Sequence, residues 1–263
     1  MTHHLVASDL TLAYDRRVVI ENLDLAVPPE SFTVVVGPNA CGKSTLLRGL
    51  ARLLAPRSGA VLLDGRAVHT MATREVARRI GLLPQSALAP DQISVADLVA
   101  RGRYPHQSLL RQWSAADEVA VATAMALTDV TDLADRPVDE LSGGQRQRVW
   151  LALVLAQETP VLLLDEPTTF LDIAHQVEVL DLLADLHEQG RTLVAVLHDL
   201  NQAARYATHL VVMTHGAIAA QGPPGEVLTA ALVAEVFGLP CRVVPDPVTG
   251  TPMVVPEARV RVR

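Results

Sequence analysis

The sequence predicts an α/β fold built around a largely parallel β-sheet. Short runs rich in Val and Leu alternate with helical stretches, and several of these runs are apolar at every position. Strands that are covered on both faces, as in parallel sheets, show that pattern, whereas half-buried strands alternate. The predicted strands are Phe32 to Val36, Ala60 to Leu63, Ile80 to Leu83, Val161 to Leu164, Thr192 to Leu197 and Leu210 to Met213.

A helical insert interrupts this alternation. Two Ser-x-x-Asp sequences in it, beginning at Ser94 and Ser114, resemble the capping boxes that start helices. We therefore expect a discontinuous core over residues 1–85 and 141–239, with a helical subdomain over 86–140 inserted in it.

The last residues predict a small β-hairpin. Two β-type runs, Cys241 to Val244 and Met253 to Val255, flank a turn that contains Pro and Gly. We expect residues 240–263 to form a short C-terminal β tail.

Composition and charge favour a cytoplasmic chain. The formal net charge of −7 over 263 residues argues against a sequence-independent grip on nucleic acid or on anionic lipid. No apolar run approaches the ~18 residues of a spanning helix, and no signal-peptide pattern is present. Cys41 and Cys241 lack partners at metal-ligand spacing and are expected to be free thiols. Any contact with a membrane should therefore go through another protein.

The chain contains a single lysine among 22 cationic side chains, and that lysine lies in a phosphate-loop motif. A lysine ammonium is a compact charge on a thin stem that can reach a β- or γ-phosphate, whereas a planar guanidinium is wider. Glycines let the loop amides point inward, and the following helix adds its partial positive charge. The motif follows a predicted strand and precedes an apolar helix face (Leu46, Leu47, Leu50, Leu53 and Leu54), as the G-x-x-x-x-G-K-[ST] pattern requires. The predicted nucleotide-binding residues are Gly37, Pro38, Asn39, Ala40, Cys41, Gly42, Lys43, Ser44 and Thr45.

Two adjacent carboxylates follow the predicted buried strand that ends at Leu164. Asp165 is placed to hold Mg²⁺ together with the Ser44 hydroxyl, and Glu166 to orient or deprotonate water. An ordinary acidic turn or helix cap is the competing interpretation of this pair taken alone.

A second glycine-rich string, Leu-Ser-Gly-Gly-Gln at 141–145, opens a helix that continues to Ala156. Serine and glycines at a helix start form a second anion-binding end, although one nucleotide needs only one such cradle. Together with the phosphate loop and the paired carboxylates, this string resembles the ATP-binding subunit of ABC transporters.

The resemblance implies a fold, an activity and two ligands. The fold is a P-loop NTPase of the RecA-like kind, with a mixed, largely parallel sheet, an antiparallel β portion near the N-terminus, an inserted helical subdomain and a short C-terminal β tail. The activity is ATP hydrolysis coupled to transport, and the ligands are ATP and Mg²⁺.

Four further residues match the family along the chain. Tyr14 matches the aromatic residue that stacks on adenine, with a core tyrosine as the competing interpretation. Gln85 matches the glutamine that contacts magnesium and the attacking water while its loop senses the membrane subunit. Asp172 lies in the D-loop, and His198 matches the switch histidine that contacts the γ-phosphate. The resemblance thus implies Glu166, His198 and Gln85 as the catalytic residues.

Two positions depart from the family pattern. Ala40 stands where glycine is common, which suggests that its φ need not be positive. Phe170 stands where a small residue is commoner, so we expect this D-loop to pack differently from the average one.

The resemblance also implies partners. Two copies are expected to sandwich two ATP molecules head to tail, attached to membrane permease subunits at the cytoplasmic face and served indirectly by a substrate-binding protein. The second copy would supply Ser142, Gly143, Gly144, Gln145 and Asp172.

Three strings, at 101–107, 167–176 and 245–252, resemble ATPase subunits of ferric-siderophore importers, with haem and cobalamin importers as close relatives. Shared architecture without cargo information is the competing interpretation. Non-transport ABC ATPases would add a second cassette, zinc-ligand cysteines, coiled-coil heptads or a basic surface, and none is present in the sequence. A GTPase would need an N-K-x-D motif, which a chain with one lysine in its phosphate loop cannot contain.

Overall fold

The structure is a computed structural model that describes residues 3–86, 88–107 and 113–257. Its strands are β1 (Leu5–Tyr14), β2 (Arg17–Val27), β3 (Phe32–Val36), β4 (Ser58–Leu63), β5 (Arg66–Ala67), β6 (Ile80–Leu83), β7 (Val161–Asp165), β8 (Thr192–Val196), β9 (His209–Thr214), β10 (Ala217–Gly222), β11 (Cys241–Pro245) and β12 (Pro252–Pro256). Its helices are α1 (Lys43–Leu50), α2 (Thr73–Ala77), α3 (Val95–Ala100), α4 (Ala115–Leu127), α5 (Gly143–Ala156), α6 (Ile173–Glu188), α7 (Leu200–Tyr206), α8 (Pro224–Val227) and α9 (Ala230–Phe237).

The central sheet has six strands in the order β10-β9-β3-β8-β7-β6, and all neighbours are parallel except the β10–β9 pair. Successive side chains along a strand pack in two different apolar clusters, one on each face of the sheet. Val34 and Val36 pack in one cluster, whereas Val35 packs in the other. Because both faces are covered, every position of β3 is buried, and the predicted α/β fold with a largely parallel sheet is confirmed.

A second, antiparallel sheet has the order β2-β1-β4-β5 and lies over the face that carries α1. The run Ala60 to Leu63 belongs here and not to the parallel sheet to which its apolar composition assigned it. Val61 and Leu63 are buried, whereas Ala60 and Leu62 are half-buried, so β4 is covered fully on one face only. The antiparallel portion near the N-terminus that the resemblance implied is thus present.

The helix after the phosphate loop is shorter than its apolar pattern indicated. Leu46, Leu47 and Leu50 are fully buried, but α1 ends at Leu50 and the chain turns at Arg52, whose φ is +63°. Leu53 is therefore 68% exposed, and its place in the predicted apolar face was wrong. The left-handed turn rotates the later leucine out of the helical repeat.

Both predicted Ser-x-x-Asp sequences start helices between β6 and β7, with a complete capping box at Ser114 and a cap in one direction at Ser94. The Ser94 hydroxyl accepts a hydrogen bond from the Asp97 N–H at the start of α3. The Ser114 hydroxyl likewise accepts from the Asp117 N–H at the start of α4, and the Asp117 carboxylate accepts from the Ser114 N–H. Such caps satisfy N–H groups that the first turn of a helix leaves unpaired.

The string at 101–107 ties this helical segment to the rest of the chain. The guanidinium of Arg103, which is 4% exposed, donates to Asp117 Oδ1 at 2.9 Å, to the Ala156 carbonyl at 2.6 Å and to Glu158 at 2.6 Å. Hydrogen bonds from Ser114, and the charge of Arg103, hold the pKa of Asp117 below its usual value in spite of burial. The string therefore has a structural role at the junction of α4 and α5.

We expect Asp117→Asn to lower the free energy of unfolding by about 2–3 kcal/mol at pH 7, because it leaves a buried guanidinium without its buried carboxylate. Urea unfolding measures this change. The loss should shrink as the pH falls below the ordinary aspartate pKa of 3.8, because Asp117 of the unfolded wild-type chain takes up a proton there before Asp117 of the folded chain, whose pKa is lower. Asp129→Asn removes the 93% exposed partner of Arg148 and, as the matched control, should cost less than about 0.5 kcal/mol. An equal cost for the two variants would contradict the buried-pair account.

The C-terminal strands β11 and β12 pair antiparallel, and we call them, with the turn between them, the C-terminal hairpin. Strand β11 is one residue longer at the turn than predicted, and β12 is one residue longer at each end. The predicted β tail is present. Within the described residues, no helix is both long and apolar enough to cross a membrane.

Candidate functional site

The phosphate loop connects β3 to α1, and close backbone approach dictates its glycines. A Cβ at Gly37 would lie 2.2 Å from the Met213 carbonyl oxygen, so only glycine fits there. Gly42, at the start of α1, has φ +110°. Ala40 has φ +61°, which corrects the expectation that its φ need not be positive. The loop imposes a left-handed turn at position 40, and alanine adopts it at a steric cost of about 1–3 kcal/mol.

Lys43 is held inside this loop. Its Nζ donates to the Gly37 carbonyl at 2.8 Å and to the Pro38 carbonyl at 2.9 Å, and the residue is only 6% exposed. The Cys41 thiol lies 4.0 Å from the same nitrogen. Both hydrogen bonds keep the ammonium at the start of α1, where the N–H groups of the helix also favour an anion.

Ser44 and Asp165 meet between α1 and the end of β7. The Ser44 hydroxyl donates to Asp165 Oδ1 at 2.9 Å. Asp165 is 2% exposed, and burial raises its pKa above the usual range, with the hydrogen bond from Ser44 opposing that rise. The pair thus presents two oxygen atoms of the kind that hard cations prefer.

Glu166 begins a tight turn directly after β7. Its φ is +57°, and its carbonyl accepts a hydrogen bond from the Thr169 N–H at 3.2 Å. The carboxylate lies 2.7 Å from His198 Nε2 and accepts from the Thr169 hydroxyl at 3.1 Å. A left-handed backbone at a non-glycine residue is strained and is often found at functional sites.

Opposing effects set the ionisation of Glu166. Burial raises its pKa, but hydrogen bonds from His198, Gln85 and Thr169 and the charge of His198 outweigh burial, so the pKa lies below its usual value. Glu166 is therefore ionised at neutral pH and can accept a proton. The structure brings the three predicted catalytic residues Glu166, His198 and Gln85 together.

A cleft of about 670 Å³ joins these groups to the phosphate loop. Among the predicted residues, Gly37, Pro38 and Cys41 shape the loop and Asp165 holds Ser44, but in the described part of the chain none of these four lines the cleft. The lining residues are Tyr14, Arg17, Val19, Asn39, Ala40, Gly42, Lys43, Ser44, Thr45, Gln85, Glu166 and His198.

Tyr14 lies at the rim of this cleft, 39% exposed, which rules out the competing interpretation of a core tyrosine. Its hydroxyl accepts a hydrogen bond from Arg48 at 3.1 Å. Arg17 and Val19 also line the cleft, and the sequence analysis did not identify them. Their position directly after Tyr14, at the β1–β2 turn and the start of β2, is the signal that could have found them.

The residues predicted to act on a second copy form a separate surface. Ser142 caps α5, and its box with Gln145 is complete in both directions. Asp172 caps α6, where its carboxylate accepts from the His175 N–H at 3.0 Å. Residues 142–145 and Asp172 line one pocket of about 430 Å³ together with Phe170, and in the described residues this pocket shares no lining residue with the nucleotide cleft.

Gln147 is a residue that the sequence analysis missed. It is 8% exposed, and its side-chain amide donates to the Pro167 carbonyl at 3.2 Å and to the Glu166 carbonyl at 3.4 Å. Gln147 therefore links the helix of the Leu-Ser-Gly-Gly-Gln string to the strained turn after β7. A polar residue four and seven positions before the buried Leu151 and Val154, on the same face of α5, is the signal that could have found it.

Comparison with known proteins identifies the family. The family model described as ABC transporter matches residues 20–169. The chain belongs to the ABC transporter family. It is 57% identical over 256 residues to the ferric enterobactin transport ATP-binding protein FepC of Escherichia coli (strain K12), covering 97% of this chain and 94% of that protein. It is 54% identical over 253 residues to the probable siderophore transport system ATP-binding protein YusV of Bacillus subtilis (strain 168), covering 96% and 92%.

Solved structures agree with this ABC family assignment. A structure described as an inward-facing conformation of a metal-chelate type ABC transporter matches with a TM-score of 0.82 and 30% identity, covering 98% of each chain. The predicted P-loop NTPase fold and the ATPase activity are confirmed, as is the resemblance to ATPase subunits of iron-chelate importers.

Proposed function

We propose that this ABC ATPase energises the uptake of an iron(III)-siderophore across the cytoplasmic membrane. The observation that carries the proposal is the similarity to ferric enterobactin and siderophore transport proteins along nearly the whole chain. The ATPase would lie at the cytoplasmic face, bound to permease subunits and served by a substrate-binding protein.

In the proposed hydrolysis step, ATP lies between Tyr14 at its adenine and Lys43 at its phosphates. Glu166, ionised because its pKa is lowered, takes a proton from a water molecule as the water oxygen bonds to the γ-phosphorus and the bond to the β-phosphate oxygen breaks. His198, 2.7 Å from the carboxylate, holds it in place and lies beside the γ-phosphate.

Ser44 and Asp165, with Gln85 at the cleft wall, are the residues we propose for Mg²⁺. One buried carboxylate, one hydroxyl and one amide oxygen fit a cation that takes few protein ligands and completes its shell with phosphates and water. When bound, Mg²⁺ neutralises charge on the β- and γ-phosphate oxygens.

Removal of divalent cations with EDTA should stop ATP hydrolysis, because the phosphate charge is then not neutralised, whereas ATP still binds through the loop and Lys43. Ser44→Ala should raise the Mg²⁺ concentration needed for half-maximal hydrolysis about tenfold, by loss of one ligand. Steady-state ATPase assays over a Mg²⁺ titration measure both effects. Ser58→Ala, an exposed serine on β4, is the control. An unchanged Mg²⁺ requirement in Ser44→Ala would refute the assignment of Ser44.

The separate surface formed by residues 142–145 and Asp172 supports a site shared between two copies. Helix α5 begins there, and the start of a helix carries a partial positive charge that favours anions, yet the nucleotide cleft of the same chain does not include it. We propose that this surface contacts the γ-phosphate of ATP bound to Lys43 of a second copy. In the division that we propose, this surface belongs to the discontinuous core over residues 1–85 and 141–239, into which residues 86–140 are inserted as a helical subdomain, with residues 240–263 as a C-terminal tail.

Uptake measurements test the proposed cargo. Cells that lack the gene should regain uptake of a ⁵⁵Fe-loaded siderophore when the wild-type chain is restored, and should not regain it with Glu166→Gln. Haem and cobalamin uptake are measured in the same strains. Restoration of haem or cobalamin uptake without any siderophore uptake would contradict the iron-siderophore assignment while leaving the ATPase assignment intact.

A further inference from the structure

Helix α7 follows directly on the histidine of the nucleotide cleft. Only Asp199 separates His198 from α7, and its carboxylate accepts hydrogen bonds from the N–H groups of Asn201 at 2.7 Å and Gln202 at 2.9 Å. The position of His198 therefore depends on the position of α7 as well as on β8 before it. Because His198 lies 2.7 Å from Glu166, a shift of α7 also changes the contact of His198 with that carboxylate.

The C-terminal hairpin holds α7 through Asn201. The Val254 N–H donates to Asn201 Oδ1 at 2.7 Å, and Asn201 Nδ2 donates to the Val254 carbonyl at 3.3 Å. This amide pairs with the backbone of β12 as a neighbouring strand would. Val254 and Cys241 also pack in the same apolar cluster as Ala203 and Ala204 of α7.

An ion pair forms a second connection. Arg205 of α7 donates to Asp246 Oδ2 at 2.5 Å, and Asp246 is 8% exposed. The other carboxylate oxygen accepts from the N–H groups of Val248 at 2.8 Å and Thr249 at 3.1 Å, which fixes the turn of the hairpin. Arg205 therefore bonds to a carboxylate that is already held rigidly.

Helix α6 holds a neighbouring face of α7. Gln202 donates to Gln176 Oε1 at 2.9 Å, and Gln176 donates to the carbonyl of Leu171 in the D-loop at 3.1 Å. Tyr206 donates to Asp181 at 2.6 Å. Two of the strings that indicated the cargo, at 167–176 and 245–252, thus each contain a residue that is hydrogen-bonded to α7.

We infer that the C-terminal hairpin is a positioning element for ATP hydrolysis, which clamps α7 against α6 and so holds His198 against Glu166. Asn201 and Arg205 are the positioning residues. The inference rests on the role of His198 in the proposed function. A seven-residue helix and a two-stranded hairpin are each marginal alone, so each depends on the other for its position. A displacement of 1 Å in a reacting group can cost about 10²-fold in rate.

Steady-state kinetics on the full chain test the clamp. Asn201→Leu and Arg205→Ala should each lower kcat for ATP by about five- to tenfold, while Kd for a fluorescent ATP analogue changes by less than about twofold. Arg205→Lys, which keeps a donor for Asp246, should recover most of the loss. Arg242→Ala is the matched control, because Arg242 lies on the same hairpin but pairs with Glu257 just beyond β12. Thermal unfolding curves of all variants identify a temperature at which every variant is folded, and the kinetics are measured there.

A double variant that also lacks His198 distinguishes a positioning role of Arg205 from a general effect on the stability of the fold. In a His198→Ala chain, adding Arg205→Ala should change the single-turnover rate by less than about twofold, because the group it positions is gone. If the rate losses of His198→Ala and Arg205→Ala multiply in the double variant, the inference is overturned. Wild-type kcat in both Asn201→Leu and Arg205→Ala would also overturn it. Wild-type kcat in His198→Ala alone would remove the proposed role of His198 and the clamp with it. A low kcat in His198→Ala together with wild-type kcat in Asn201→Leu and Arg205→Ala would overturn the clamp and leave the proposed role of His198 intact.

Discussion

Glu166→Gln should slow ATP hydrolysis by about 10²- to 10⁴-fold, the range that a general base contributes. Glutamine has nearly the same shape and still accepts the hydrogen bond from Thr169, but it cannot take a proton from water. The lowered pKa of Glu166 means that wild-type carboxylate is ionised at neutral pH, so the loss is one of basicity. ATP should remain bound, because Lys43 and Tyr14 are untouched, and the variant should accumulate as an ATP-bound dimer.

Single-turnover hydrolysis of radiolabelled ATP measures this effect, with ATP affinity measured in parallel. Glu178→Gln makes the same exchange at an exposed position of α6 and should hydrolyse ATP at the wild-type rate. Near-normal turnover in Glu166→Gln would exclude Glu166 as the base.

Lys43→Arg keeps the positive charge but should lower ATPase activity by about 10²-fold or more, comparable to losing one preorganised donor in an active site. The ammonium lies between the Gly37 and Pro38 carbonyls, and the wider guanidinium does not fit there. The loop cannot retreat, since even a Cβ at Gly37 would clash with the Met213 carbonyl at 2.2 Å.

ATPase rate and ATP affinity, both measured on the purified variant, test this prediction. Arg66→Lys is the matched control, because it exchanges the same two residue types in an exposed ion pair with Glu75. Wild-type turnover in Lys43→Arg would show that charge alone, and not the shape of the lysine side chain, is what the site requires.

The strands of the central sheet could be predicted because both of their faces are buried. Val161 to Leu164 are apolar without interruption for that reason, and the same pattern located Phe32 to Val36. Composition did not assign Ala60 to Leu63 to its sheet, because strand partners depend on distant parts of the chain. Nor did it place the end of α1, where a left-handed Arg52 turns Leu53 to solvent.

The site could be predicted as a set of residues but not as a geometry. Motif spacing found Lys43, Asp165 and Glu166, because phosphate and water chemistry requires those groups in a fixed order along the chain. Spacing did not reveal that Ala40 adopts a positive φ, since the order of residues in the motif does not fix the φ of each loop residue. The contact of Asn201 with the C-terminal hairpin, 53 residues away along the chain, was equally invisible.

The central claim is that each ATP is held by Lys43 of one copy and by residues 142–144 of another, and light scattering tests it most directly. With ATP, the Glu166→Gln chain should reach twice the 28.2 kDa mass of one copy. Adding Ser142→Arg should keep it monomeric while ATP affinity stays within about twofold of the parent, because Ser142 lies outside the nucleotide cleft. Thr229→Arg, which removes the cap of α9, controls for lost capping and should still dimerise. A Ser142→Arg chain that still dimerises with ATP would contradict the shared site.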